Sequence, residues 1–216
     1  MSWSSTDTCS LAAGSKMTLR WNRNKNGNQD VISASHVGPC LVYMAPQVSN
    51  EKDYSWFKIY EDGYDSSAQK WCTEKLIANG GTVDVTIPAD IKPGNYLVRS
   101  ELIALHGARR EGGCQFFPNC VQVQVTGGGS AVPEGVPLPG YYKKDDPGIL
   151  YARKDDNSGY IIPGPPVYKA GSGSESVNAP VSNSTTTNSN TIPPSTAKSC
   201  VKKRSTRSTR KRRYRK

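Results

Sequence analysis

Residues 94–127, GNYLVRSELIALHGARREGGCQFFPNCVQVQVTG, decide how this chain folds. Pro93-Gly94 signals a type II turn, and a strand candidate follows over 94–106. Strand parity puts Leu97, Arg99, Glu101, Ile103 and Leu105 on one face, and Val98, Ser100, Leu102, Ala104 and His106 on the other. A Gly- and Arg-rich stretch separates this strand from the next, where Gln115 and Phe117 share a face and residues 119–127 alternate again. If the second strand pairs back on the first, His106 and Gln115 converge beside an aromatic ring. Only two histidines occur in 216 residues, and one of them stands here.

The pattern repeats outward from this hairpin. KMTLRW (16–21), SWFKIYED (55–62) and TVDVTIP (82–88) alternate, and CLVYMA (40–45) is a continuous apolar strand candidate. Helical periodicity is weak and confined to SAQKWCTEKLIA (67–78). Several short strands with turn chemistry between them and no βαβ rhythm imply an all-β, immunoglobulin/fibronectin-like antiparallel β-sandwich with long loops. The expected organisation is a β-sandwich domain over 1–165, a Ser/Thr/Asn/Pro-rich linker over 166–197 and a disordered basic tail over 198–216. Residues 128–168 are a Gly/Pro/Tyr-rich excursion without periodicity. The linker carries one glycosylation sequon, Asn183-Ser184-Thr185, usable only in the secretory pathway.

Charge is unevenly placed. The net charge is +10, yet the tail holds eleven of the 28 Lys and Arg and no acid. The remainder has 17 bases against 18 acids, about −1, so any affinity for nucleic acid belongs to the tail alone. Six scattered cysteines form neither a CxxC nor a zinc pattern, and with the Gly-, Pro-, Thr-, Asn- and Tyr-rich body they suit a secreted, disulfide-bonded protein. No leader with a basic and an apolar region opens the sequence, and no apolar run has the length of a membrane span, so no membrane partner is expected.

The second histidine, His36, lies in ISASHVGPCLVYM, in a loop just before the apolar strand candidate. Taken alone, His36 reads as a surface loop residue and His106 as a hydrogen-bonded strand-end residue. Larger blocks say more. SHVGPCLVYMA, WFKIYEDGYD, WCTEKLIANGGTVDVTIPADIKPGNYLVRSELIALH, QFFPNCVQVQVTG and PGYYKKDDPGI occur in this order from about Cys9 to Tyr151. Together they resemble the fungal lytic polysaccharide monooxygenases of auxiliary activity family nine, once classed as glycoside hydrolase family sixty-one.

The resemblance implies one copper ion in a brace of three nitrogens: an N-terminal amine, the imidazole of that first residue, and a second imidazole, here His36. Three neutral nitrogens suit both copper oxidation states and leave positions open for oxygen. It also implies that His106 and Gln115 hydrogen-bond the oxygen species, an orienting role that metal sites generally need. Phe117 takes the axial place held by Tyr in most relatives, which removes a phenol oxygen. Tyr142, with Tyr141 beside it, is the implied glucan-contacting aromatic. The implied reaction oxidises C1 or C4 of a β-1,4-glucan such as cellulose, using an external electron donor and dioxygen or hydrogen peroxide, by an extracellular monomer. Pairing of Cys9 with Cys120 and of Cys40 with Cys72 follows by the same analogy, with Cys114 and Cys200 left without an assured partner.

The sequence departs from that pattern at one place. Residue 1 is Met and no histidine precedes His36, so the brace amine and its imidazole are missing. The expectation is therefore a truncated, inactive or incomplete form of a secreted monooxygenase. The rival readings are a non-catalytic glycan- or cell-wall-binding protein built on the same scaffold, and an anionic-surface binder acting through the tail.

Overall fold

Alternation in 94–127 becomes a long hairpin in the computed structural model, which describes residues 8–22 and 31–171. The linker from residue 172 on, the sequon, Cys200 and the basic tail lie outside the described residues. Strands β1 (Cys9–Ala12), β2 (Lys16–Arg20), β3 (Cys40–Pro46), β4 (Phe57–Asp62), β5 (Tyr64–Asp65) and β6 (Lys70–Trp71) precede helix α1 (Cys72–Ala78). Strands β7 (Thr82–Thr86), β8 (Gly94–Ala104) and β9 (Gln115–Thr126) follow. The main sheet has the order β1-β9-β8-β3-β4, and β2 pairs with β7 in a separate ladder.

Two layers of apolar side chains explain the architecture. On one face of the main sheet, Val42, Met44, Phe57, Ile59, Tyr96, Val98, Val123 and Val125 meet Met17 and Val85 of the β2–β7 ladder and Ile87 just beyond it. This is sheet-on-sheet packing, and the all-β, immunoglobulin-like sandwich read from the sequence is the fold observed. On the opposite face Leu41, Tyr43, Ala45, Ile103 and Leu105 lie under residues of the late excursion, among them Leu138, Tyr142, Ile149 and Tyr160. Strand β3 is thus covered on both sides, which is why its sequence is apolar without alternation.

Differences from the sequence reading are local. Helix α1 begins five residues later than the weak helical pattern, after the short β5–β6 pair. Strand β1 carried no strong signal, being four residues long, and it joins β9 in parallel at the sheet edge. The Cys40–Cys72 disulfide forms, with Cα atoms 5.8 Å apart, and fastens α1 to the start of β3. The Cys9–Cys120 pairing is corrected: Cys120 is a free thiol, as is Cys114, while Cys9 is engaged in a different disulfide. The reason is register. Cys9 stands opposite Val123, three residues along β9 from Cys120, about 10 Å in strand length and on the other face. Among the described residues no helix is long and apolar enough to cross a membrane.

Candidate active site

The two histidines meet because one pairing register runs past the end of its strands. Cys40 stands opposite Leu102 in the antiparallel β3–β8 pair. The ladder continues beyond it, with Ile103 N–H donating to Pro39 O at 3.1 Å and Leu105 N–H to Val37 O at 2.8 Å. Carried one more step, this register sets His36 opposite His106. The ring centroids lie 4.5 Å apart with planes tilted by 43°.

Gly38 makes this approach possible. A Cβ there would lie 1.9 Å from the Ile103 carbonyl oxygen, so only glycine lets the loop run against the end of β8. Gly38 N–H also donates to Thr73 Oγ1 at 3.0 Å, which ties the loop to α1 and, through Cys72, to the disulfide. Upstream, His36 N–H closes a turn on Ser33 O at 2.9 Å. Ser35 Oγ lies 3.1 Å from His36 Nδ1 and 3.1 Å from Ser33 Oγ. This hydroxyl chain orients the imidazole through one of its nitrogens, as partners of ligating histidines commonly do.

Strand β9 supplies the rest of the patch. Gln115 pairs with Ala104 and Phe117 with Leu102, so both project from the face that also carries His106. The Phe117 ring meets the His36 ring edge-on at 5.6 Å. Phe117 also packs on the cluster of Trp21, Val31, Ile32, Cys40, Cys72 and Leu102, so the site rests on a rigid, disulfide-pinned base. His106 and Gln115 are exposed and His36 is half-buried. The patch is open to a large surface-bound ligand.

The two tyrosines are not part of this group. Tyr142 belongs to the other face of the sheet, where its ring stacks on Phe116 at 5.7 Å. Its hydroxyl lies 2.7 Å from that of Tyr43 and donates to Glu101 Oε2 at 3.1 Å. Burial, with Glu101 adding to it, pushes the Tyr142 phenol far above its ordinary value. Tyr141 is the exposed member of the pair, at 37% relative exposure. The acid anchoring this network, Glu101, is fully buried and pairs with Arg99 at 2.7 Å. Strand parity placed Arg99 and Glu101 on one face but gave no sign of Tyr43 and Tyr142 as their partners.

Among the described residues no group of three His, Cys, Asp or Glu is placed to hold a metal ion. The patch offers two imidazoles. That donor set does not by itself make the three-nitrogen copper brace.

Comparison with known proteins identifies the family. The model of Auxiliary Activity family 9 (formerly GH61) matches residues 2–160. The chain is 45% identical over 171 residues to AA9 family lytic polysaccharide monooxygenase A of Aspergillus niger, covering 78% of this chain and 41% of that protein. The solved structure of CvAA9A is 41% identical with a TM-score of 0.68, covering 75% of this chain and 76% of that one. A cellulose-active polysaccharide monooxygenase from M. thermophila is 32% identical with a TM-score of 0.61, covering 76% and 75%. The chain spans about half the length of the curated relatives it matches. With the family model covering most of the sequence and the sandwich shared with solved members, the chain belongs to Auxiliary Activity family 9.

Proposed function

We propose that this domain is the scaffold of a secreted lytic polysaccharide monooxygenase acting on β-1,4-glucan, and that the His36–His106–Gln115–Phe117 patch is its reaction centre. The observation that carries the reading is the register that brings both histidines of the chain together on one exposed surface. Relatives named as lytic polysaccharide monooxygenases, and a solved neighbour named as cellulose-active, support the substrate class.

In this reading His36 would supply one nitrogen to a bound copper ion, and the Ser35 hydroxyl orients its ring. His106 and Gln115 are the polar pair beside that nitrogen, placed to donate or accept hydrogen bonds to an oxygen species on the open side of the patch. Phe117 closes the inner side with an apolar ring and gives no oxygen donor. Bound copper would supply one-electron chemistry with an external reductant and dioxygen or peroxide, at C1 or C4 of the glucan. In this reading the exposed Tyr141 is the glucan-contacting tyrosine, whereas Tyr142 is tied to Tyr43 and Glu101.

A single ligating imidazole, His36, falls short of a stable copper centre, so the chain alone should be silent. Calorimetric titration should give no sub-micromolar copper binding by residues 1–216. Mass spectrometry should find no oxidised cello-oligosaccharides after incubation with cellulose, copper and ascorbate, although the protein is retained on the cellulose. Sub-micromolar binding would overturn the incomplete-brace account. Failure to be retained on cellulose or any other β-1,4-glucan would overturn the polysaccharide reading.

A further inference from the structure

The Arg-rich loop between β8 and β9 has no part in the chemistry above, yet it walls a cavity of about 570 Å³ next to His106. Its walls come from two segments, with Arg109 and Arg110 on one and Arg153 on the other. No side chain among the described residues pairs with any of the three guanidiniums. Glu111, the one acid in the wall, is engaged with Lys144 at 3.3 Å. The chain outside the tail is close to neutral, so three uncompensated arginines around one concavity are a local feature. A concavity of one charge sign focuses field onto an incoming anion.

The loop is shaped in advance. A Cβ on Gly113 would lie 2.0 Å from the Gly107 carbonyl oxygen, so the two ends of the loop touch backbone to backbone. Gly113 N–H donates to Arg110 O at 3.0 Å, and Ala108 N–H to Leu105 O at 3.1 Å. Tyr151 N–H donates to Ala108 O at 2.9 Å, which locks the second wall to the first. The half-buried Tyr151 also lines the cavity. Arginine forks match carboxylates bidentately, an aromatic ring suits the apolar face of a sugar, and the volume falls within the range of small-ligand sites.

We propose that this cavity binds the carboxylate of an acidic sugar at the rim of the reaction centre. Its identity as a sugar rests on the polysaccharide reading, whereas the capture of a carboxylate does not. Two sources share the chemistry: the aldonate left at a chain end by C1 oxidation, and a uronate within an acidic glycan.

The test is calorimetric titration of the full chain without copper or reductant, so that loss of the monooxygenase reading would leave the result standing. Cellobionate and glucuronate should each bind at least about tenfold more tightly than neutral cellobiose and glucose, and more tightly than inorganic phosphate. R153Q alone, and R109Q/R110Q together, should each weaken that binding about tenfold. These positions are exposed, and an unchanged thermal midpoint would show that each variant folds. A preference for cellobionate would identify the aldonate source, and one for glucuronate the uronate. Equal binding of cellobionate and cellobiose would overturn the proposal. So would binding untouched by either variant, which would move the anion site to the basic tail, and phosphate binding as tightly as the sugar acids would overturn its sugar component.

Discussion

The two faces of the main sheet are built from different materials. The face under the β2–β7 ladder is a mainly aliphatic cluster running from Met17 to Val125, with the Tyr96 hydroxyl donating to Lys92 O at its margin. The face under the late excursion mixes apolar side chains with buried Lys58 and Glu101 and the hydroxyls of Tyr43 and Tyr142. Lys58 Nζ donates to Glu61 at 2.7 Å and to the Pro163 carbonyl at 2.8 Å. A strand can press on a sheet through apolar contact alone. A long irregular segment brings unpaired backbone and polar side chains with it, and each buried one must find a partner. The ladder face is therefore held mainly by volume, and the loop face by volume together with matched polar pairs.

Mutations can break that contrast. The largest effect is expected from Phe57→Ala on the ladder face, about 3–5 kcal/mol in urea unfolding, because Phe57 is buried and the rigid layers cannot close the hole. On the loop face, Tyr142→Phe should cost about 1–3 kcal/mol, since it leaves Glu101 and the Tyr43 hydroxyl short of a partner while barely changing volume. The Y43F/Y142F double variant should cost much less than the sum of the two single changes, because each single change already breaks the contact they share. Additive costs would refute the paired-network view.

Alkaline pH should also test the buried phenols of the loop face. Burial raises the Tyr43 and Tyr142 phenols in the folded protein well above the ordinary 10.0. Both stay neutral when folded but ionise near pH 10 when unfolded, so above that pH the unfolded state binds fewer protons. Stability is thus full below pH 10 and falls as pH rises beyond it, and Tyr142→Phe should flatten that fall. The smallest effect is expected from Ser35→Ala, under about 0.5 kcal/mol at an exposed site. Its consequence should appear in the His36 ring resonances, through loss of the contact at Nδ1.

The same contrast explains what the sequence disclosed. The alternation in β2, β7, β8 and β9 is the direct imprint of a sheet face pressed on a second layer, so those strands could be read locally. Parity also placed Gln115 and Phe117 on one face, and the β8–β9 register sets them opposite Ala104 and Leu102. His36 was legible as a partner only through the family resemblance, because its position depends on a register continuing through Pro39 and Val37. The Tyr142 contacts were hidden because they join residues 43, 101 and 142 across three separate segments. The Cys9–Cys120 pairing failed on a similar point: nothing local to Cys9 encodes a parallel register with β9.

The central claim is that His36 and His106 are neighbours on one surface patch. Selective ¹⁵N labelling of the chain's two histidines, with a nuclear Overhauser experiment on their ring protons, tests it most directly. Centroids 4.5 Å apart require a cross-peak between the two imidazoles. Two well-resolved ring systems with no cross-peak in the folded protein would contradict it.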